Sequence, residues 1–586
     1  MDGGADQSRD IKENHQRDSE AATQYLRCDG YTISGGPMTQ GVVSSRMPEL
    51  PVVHLAQLVE TGAWFAIGGV VGGALLALLI RLRGWSWTCA LPLLVGVPDA
   101  TLLNWRAELC ADAFAVAAVG IGAWRHLADL RAGGDLAQRA RDRIGPMAPI
   151  RRWYGWRKLR TGQWVTSQGV VIGFSRQGEL VRVPIAGYRP VMSLLLGATG
   201  SGKTVVQVLL ALAAIRRNFG VIYIDPKGDD FVREELRAAA TRAGRQFREW
   251  DPQGKTIYNP YDRGTNTEIA DKLLAAEVFT EPHYQRLAQR YIGHVIRALR
   301  LAGVPVSLAT VVEHMHSGHL ASLTRKMSPT DARPLLAYLE SLTPQQERDI
   351  AGARDRLAIL AESDVGHLLE PATGGEQLDL RESLDRGDVV LFRLEADRRP
   401  LAAEMLGAAI VQDLVAISQE RQHGEQRPAL VIIDEFSAFG APQTQRLFGR
   451  GRGAWLSQVL GTQEVADLGP NDTKVLSGGG GILAQVAGNI EVLLCGRQNM
   501  PASAELVAAI AGTRGAWITT EQTHAPAAGL LTGLGSRSRG REYVVHPDTI
   551  KRLDVGEFVV IEPRLGRAVI VRVFHPDELR RHGVEC

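Results

Sequence analysis

Apolar and polar positions divide the chain into stretches of four kinds. Residues 1 to about 50 are polar, rich in Asp, Ser, Gln and Gly, and show no periodicity. They predict a disordered segment with no secretory signal pattern. Two long apolar stretches follow. Ala63 to Ile80 holds 18 uncharged residues, enough to cross a bilayer, and Leu109 to Trp124 is broken only by Asp112. Ser86 to Val97 between them is apolar but short, and Pro98-Asp99 ends it. The pattern predicts a transmembrane region over 51–126, with two crossings and an interfacial middle segment; three crossings also fit. Gly68, Gly69, Gly72 and Gly73 give the first stretch a small-residue face for close helix contact.

The third kind is the short, mostly apolar run alternating with a helical pattern. Val191 to Leu196 precedes a helix from Thr204 to Ala214, and Gly220 to Ile224 opens a second unit that reaches Pro260. Asp388 to Arg393 precedes a helix from Leu401 to Gln419. Ala429 to Ile433, Leu456 to Gly461 and Glu491 to Cys495 follow, the last before a helix from Ala502 to Ala511. Strands that alternate with helices predict a doubly wound parallel sheet. Short runs with Gly turns over Thr166 to Pro184 predict a flanking β-hairpin, and Tyr543 to Val573 predicts short strands turning at Val555-Gly556-Glu557. The fourth kind interrupts the series. From Thr267 to Leu369 the spacing is helical, as in Leu287, Ala288, Tyr291, Ile292, Val295, Ile296 and Leu299. We read it as an inserted all-helical domain, because the chain between the first and later strands is far longer than one or two βα units need. The predicted boundaries are a basic linker over 127–150, a nucleotide-binding domain in two parts, 151–266 and 376–580, and the insertion over 267–375.

The ends of the apolar runs carry the chemistry. Val191 to Leu196 leads directly into Gly197, Ala198, Thr199, Gly200, Ser201, Gly202, Lys203 and Thr204, the phosphate-binding pattern G-x-x-x-x-G-K-[ST] in its strand–loop–helix setting. Glycines let backbone N–H groups close around phosphate oxygens, and the helix N-terminus adds a favourable dipole. Lys203 reaches the terminal phosphates of ATP, and the Thr204 hydroxyl is placed to ligate Mg²⁺. Ala429 to Ile433 ends in Asp434-Glu435. The first acid is positioned for Mg²⁺ and the second for the attacking water. Gln463, after Leu456 to Gly461, is a candidate sensor of the γ-phosphate, and Arg452 ahead of that run points toward a neighbouring subunit's nucleotide.

Length and charge narrow the partners. A chain of 586 residues is too long for one core, and a net charge of +2 excludes a globally basic nucleic-acid coat, so any DNA contact must be local. Five cysteines lack C-x-x-C spacing and read as reduced bystanders. Arginines after Trp124 (Arg125, Arg131, Arg139, Arg141, Arg143) place the ATPase part in the cytoplasm by the positive-inside rule, whereas Arg81, Arg83 and Arg106 blur the N-terminal topology. Arg151 to Arg160 (RRWYGWRKLR) interleaves base and aromatic, which suits a juxtamembrane anchor better than a nucleic-acid surface. Two decoys are set aside. Leu476 to Gly481 (LSGGGG) follows Glu435, the wrong order for an ABC-transporter signature, and His314, His316 and His319 lack metal-site spacing.

Asp225-Pro226-Lys227-Gly228-Asp229, Asp434-Glu435, Arg452-Gly453-Ala454 with Gln463 after it, and the helical insertion together resemble the type IV coupling proteins of conjugative DNA transfer, the TraG/TraD kind. The resemblance covers about residues 150 to 575, plus the membrane-first layout. It implies a RecA-like P-loop NTPase fold in a homohexamer held in the cell membrane. It implies ATP and Mg²⁺ at Lys203, Thr204 and Asp434, water activation at Glu435, sensing at Gln463 and an arginine finger in trans at Arg452. The implied partners are DNA, relaxase or relaxosome proteins and the components of a type IV secretion channel, with the helical domain reading the DNA–protein substrate. One departure stands out: the chain ends Arg580-Arg581-His582-Gly583-Val584-Glu585-Cys586, so docking through an acidic tail is not supported. A septal or chromosome DNA translocase is the nearest rival, but it lacks the insertion and carries a winged helix at its end; none is legible after Gly512. A motor that secretes protein without DNA fits the same residues. A scaffold that binds ATP without turnover fits them less well, since Glu435, Gln463 and Arg452 are all in place.

Overall fold

A computed structural model describes residues 52–82, 105–131 and 147–585, apart from 186–188, 278, 280, 372–375, 423–425, 440, 466–487 and 524–530. The reading of residues 1–50 as disordered and the decoy over Leu476 to Gly481 lie outside these. The chain forms two compact units, Met1–Gly134 and Asp135–Cys586.

The first unit contains α1 (Val52–Leu82) and α2 (Trp105–Arg131). Three glycines of α1 are in the contact. A Cβ at Gly69 would stand 2.3 Å from the Cys110 carbonyl oxygen, and one at Gly73 would stand 2.3 Å from that of Phe114. Only glycine permits backbones this close, so the predicted small-residue face exists and holds Gly69, Gly72 and Gly73, while Gly68 has open space. The contacts climb together, Gly69 on Cys110 and Ala113, Gly73 on Phe114 and Ala117. The two helices therefore run in the same direction. Trp64, Phe65, Val71 and Leu75 are exposed on this unit. Within the described side chains the apolar parts of these two helices are Ala63–Leu79 and Leu109–Trp124. Among the described residues the helix long and apolar enough to cross is Pro400–Glu420, and most of it is buried inside the second unit.

The second unit is built on a 12-stranded sheet. Its strands are β1 (Val165–Thr166), β2 (Gly169–Ser175), β3 (Leu180–Val183), β4 (Met192–Leu196), β5 (Gly220–Asp225), β6 (Phe247–Trp250), β7 (Val389–Arg393), β8 (Ala429–Ile433), β9 (Leu456–Thr462) and β10 (Val492–Cys495), with β13 (Glu557–Glu562) and β14 (Arg567–Val573). The order is β1-β2-β14-β13-β10-β4-β9-β8-β5-β7-β6, with β3 on β2. From β10 to β6 every pairing is parallel, as the alternation predicts. The other end is antiparallel, so the expected parallel sheet is the larger part of the sheet and not the whole of it. The reason lies in the connections: β13 and β14 are joined by one short turn at Pro563–Leu565, far too short for a parallel crossover. A separate antiparallel ribbon pairs β11 (Thr513–Thr523) with β12 (Leu531–Tyr543).

Both faces of β4, β5, β7 and β8 are covered, which is why these strands read as nearly continuous apolar runs. Val221 and Tyr223 of β5 enter one core with α4 (Lys203–Arg216) and α5 (Asp230–Arg242). Ile222 and Ile224 enter the other. That second core continues without a break into the helical segment between β6 and β7, where α6 (Asn266–Leu273) and α7 (Pro282–Leu301) contribute Ile269, Tyr291, Ile292 and Val295. Thr265, Ser307 and Thr343 each start a helix here with a reciprocal capping box. A buried ion pair fastens the segment to the sheet. Lys272 Nζ, 1 % exposed at its side chain, donates to Asp413 Oδ1 (2.6 Å) on the long helix Pro400–Glu420, and Tyr258 donates its hydroxyl to Asp413 Oδ2 (2.8 Å).

Candidate nucleotide-binding site

The phosphate loop leaves β4 and turns through Gly200 (φ +76°) and Gly202 (φ +98°), conformations that L side chains rarely adopt. Gly202 caps α4, so Lys203 and Thr204 are the first two residues of that helix. A Cβ at Gly197 would lie 2.5 Å from Ser201 Oγ, so a side chain there would force the Ser201 hydroxyl to turn away. Lys203 is nearly buried, and its Nζ donates to the Gly197 carbonyl (2.8 Å). The antiparallel flank supports the loop from outside: Gly556 N–H donates to the Ser201 carbonyl (3.0 Å), and Ala198 N–H donates to that of Arg497 (2.9 Å). The Ser201 hydroxyl is buried without a hydrogen-bond partner.

Strand order then assembles the rest. β9 lies between β4 and β8, with Leu196 beside Thr462 and Ile433 beside Leu460. Gln463 therefore leaves the sheet between the phosphate loop and Asp434-Glu435. Thr199 Oγ1 donates to Gln463 Oε1 (2.9 Å), and Gln463 Nε2 donates to Glu435 Oε1 (2.8 Å). Lys227 Nζ donates to the same Glu435 oxygen (2.6 Å). Burial raises the Glu435 pKa, but the bonds from Lys227 and Gln463 outweigh it and hold the carboxyl below its ordinary value. Burial lowers that of Lys227, and its Glu435 bond with the nearby Asp434 charge outweighs this in turn. Glu435 itself sits at φ +44°, a conformation uncommon for a residue with a side chain.

Asp434 is buried and held differently. Gln207 Nε2 donates to its Oδ1 (2.9 Å), and Tyr223 donates its hydroxyl to Gln207 Oε1 (2.7 Å). Burial, with the Asp434 charge nearby, pushes the Tyr223 hydroxyl well above its usual range. The neighbouring Asp225, raised by burial, accepts the backbone N–H groups of Lys227 and Asp229, which fixes the turn that presents Lys227. Gly461 admits this arrangement: a Cβ there would meet Gln207 Nε2 at 2.5 Å and Asp434 Oδ1 at 2.7 Å.

Arg452 is the site residue that the fold keeps apart. It precedes β9, whose seven residues run roughly 20 Å to Gln463 at the other end. It donates to the Asn489 carbonyl (3.0 Å) and pairs with the buried Glu491 (3.3 Å), which Arg189 and Arg564 also approach. Sequence reasoning gave no role to Lys227, Gln207 or Gly461. The turn Asp225–Asp229 was a legible signal for the first; nothing local marks the other two.

No protein-family model matches the sequence, and no curated protein does. Solved structures do. The unbound bacterial conjugative coupling protein TrwB, in a form named for an N-terminal deletion, is similar over 71 % of this chain and 91 % of its own, at 18 % identity and a TM-score of 0.50. The complex of plasmid coupling protein TrwB with the non-hydrolysable GTP analogue GDPNP gives 71 %, 92 %, 18 % and 0.50 in the same order. VirB4 of Thermoanaerobacter pseudethanolicus gives 71 %, 99 %, 14 % and 0.47. The chain has the TrwB fold. At this identity the likeness is one of backbone alone.

Proposed function

We propose that this chain is a membrane-anchored ATPase that couples hydrolysis to recruitment and translocation of DNA into a type IV secretion channel during conjugation. One observation carries the enzymatic part: the sheet order β4-β9-β8 brings the phosphate loop, Gln463 and Asp434-Glu435 to one edge, joined by a hydrogen-bond chain from Thr199 through Gln463 and Glu435 to Lys227. The residues fit a nucleotide triphosphate. The loop is a glycine cradle, the buried Ser201 hydroxyl lacks a partner, and Lys203 bonds a loop carbonyl that phosphate oxygens can replace. Thr204 and Asp434 would hold Mg²⁺, which supplies charge neutralisation between the outer phosphates. Lys203 binds and orients the phosphates. Both bonds to Glu435 fall on Oε1, so Oε2 is the oxygen for the attacking water. Gln463, tied to Thr199 on the loop, carries occupancy of the loop to Glu435.

Recruitment of DNA is supported by the shared fold, since TrwB is a conjugative coupling protein. Assembly as a homohexamer, with relaxase and channel partners, accounts for Arg452. A guanidinium at the far end of β9, held on the surface by Glu491, serves a neighbouring copy's nucleotide and not its own. Mixing Arg452→Ala with Lys203→Ala subunits should then restore part of the ATPase activity. Membrane anchoring is supported by the exposed apolar side chains of α1 and α2 around a glycine contact. Helices that cross in the same direction put Val52 and Arg131 on opposite faces, which two crossings with an interfacial middle segment do not allow. The three-crossing alternative is the one that agrees with this packing, with the ATPase unit in the cytoplasm. The test is ATPase rate with single- and double-stranded DNA at two salt concentrations. Stimulation that ignores sequence and falls steeply with salt supports translocation of DNA. A rate indifferent to DNA in an intact oligomer favours a motor that secretes protein alone.

A further inference from the structure

Helix α3 (Ala148–Lys158) is the first described element of the second unit, and its two sides differ sharply. The inner side is fixed. Ala148, Gly155 and the following Leu159 are buried, and a Cβ at Gly155 would strike the Phe174 ring at 2.5 Å. Trp156 stacks on His582 (3.9 Å between centroids) and contacts Phe174 and Phe574. Arg160 Nε donates to the His582 carbonyl (2.9 Å), which ties the end of the segment down as well. This is a rigid element, not a fraying one.

The outer side carries Met147, Ile150, Trp153 and Tyr154, which are 54, 59, 66 and 53 % exposed. Spacing of three and four residues puts them on one face, away from the sheet. The other exposed large apolar residues of this unit are scattered along the chain. Charge on the segment is of one sign: Arg151, Arg152, Arg157, Lys158 and Arg160, with no acid from Met147 to Arg160. Glu179 pairs with Arg151 (2.9 Å), and Lys158 lies over the Tyr154 ring (4.9 Å). Arg157 and Lys158 remain exposed beside the apolar face.

We propose that the outer face of α3 is a membrane-surface contact, lying in the headgroup layer of an anionic bilayer. Tyr and Trp rings with aliphatic neighbours suit the boundary between headgroups and acyl chains, and flanking cations suit anionic lipid. Chain connectivity supports the choice of occupant, since Met147 follows the end of α2 by 16 residues (147 minus 131). Fixed against β2 and the C-terminal segment, α3 would set the height of the ATPase unit above the bilayer. The inference rests on the membrane reading of α1 and α2.

The test uses the full chain in lipid nanodiscs, with its other accessible cysteines replaced by serine. A fluorescent label is placed at Ile150→Cys, and in separate preparations at Val116→Cys in α2 and at Lys255→Cys on an exposed loop. Lipids carrying a quencher at the headgroup level should quench the label at 150 and not that at 255. Charge reversal by Arg157→Glu with Lys158→Glu, or replacement of anionic by zwitterionic lipid, should reduce the quenching roughly 10-fold while basal ATPase activity stays. A label at 116 that meets acyl-chain quencher while the label at 150 meets none overturns the inference and leaves the anchor intact. Failure at both positions overturns the anchor with it. A label at 150 that responds to DNA, or to a second copy in detergent, with no response to lipid assigns the face elsewhere and also overturns the inference.

Discussion

Gly461→Ala is the most economical way to disturb the site without touching a charged residue. The added methyl would stand 2.5 Å from Gln207 Nε2 and 2.7 Å from Asp434 Oδ1, atoms that are themselves 2.9 Å apart in a hydrogen bond. Both partners are buried, and Asp434 follows the strand that β9 pairs with, so the bond must break or the strand end must move. A hydrogen bond to a charged group is worth about 1.5–3 kcal/mol. If that energy holds Asp434 in place for Mg²⁺ in the transition state, kcat falls about 10- to 150-fold. Binding should persist, because the loop glycines lie between β4 and α4 and Lys203 opens α4, apart from the Gln207–Asp434 bond. Phosphate release and fluorescent-nucleotide titration measure the two separately. Gly293→Ala is the control, a helical glycine whose Cβ meets nothing within 4 Å. It should be neutral or slightly stabilising. Wild-type kcat in Gly461→Ala, in protein shown to be folded, would refute the role given to Asp434 and its Gln207 bond.

Lys227→Met should raise the Glu435 pKa, because burial remains while the cation that offset it is gone. In the native chain Glu435 lies below 4.5, so its contribution is present above that value and is lost only as pH falls through the lower, folded one. The acidic limb of the kcat profile should therefore move to higher pH in the variant; an unmoved limb counts against Glu435 as the base. Lys272→Met removes one member of a buried ion pair and should destabilise the attachment of the helical segment by about 3–5 kcal/mol. Hydrogen exchange over Asn266–Leu273 would show it, and Asp413→Leu in the same chain should recover much of the loss. Cysteines at Ala56 and His126, near opposite ends of two helices that run the same way, should be labelled from opposite sides of the membrane. Labelling of both from one side contradicts the packing.

The sequence-level reading reached the ends of strands more surely than the relations between them. Met192–Leu196 and Ala429–Ile433 are wholly buried and apolar but for Ser193, and each runs straight into its chemistry, so the loop at Lys203 and the acids at Asp434-Glu435 were legible. That β9 lies between them was not, since nothing in Leu456–Thr462 says which neighbours it takes. The Lys227–Glu435 pair joins residues 208 apart and depends on that order. The antiparallel end of the sheet escaped because Tyr543 to Val573 reads only as short strands with a turn at Val555-Gly556-Glu557, and tertiary pairing is what shows that β13 and β14 extend the sheet and brace the phosphate loop. The ribbon β11–β12 left no signal, because Thr513–Thr523 is largely polar and lacks the apolar alternation of a half-buried strand. Arg452 took its role in trans from family resemblance, and that role stands as a proposal.

The central claim is that Lys203 holds nucleotide while Glu435 turns it over. The direct measurement is ATP binding and phosphate release on the native chain, Lys203→Ala and Glu435→Gln, in parallel. Lys203→Ala should lose binding and turnover together. Glu435→Gln should bind ATP as the native chain does, because its carboxylate touches Lys227 and Gln463 and not the loop directly, yet release phosphate at least about 100-fold more slowly. Native turnover by Glu435→Gln, or native binding by Lys203→Ala, would contradict the account.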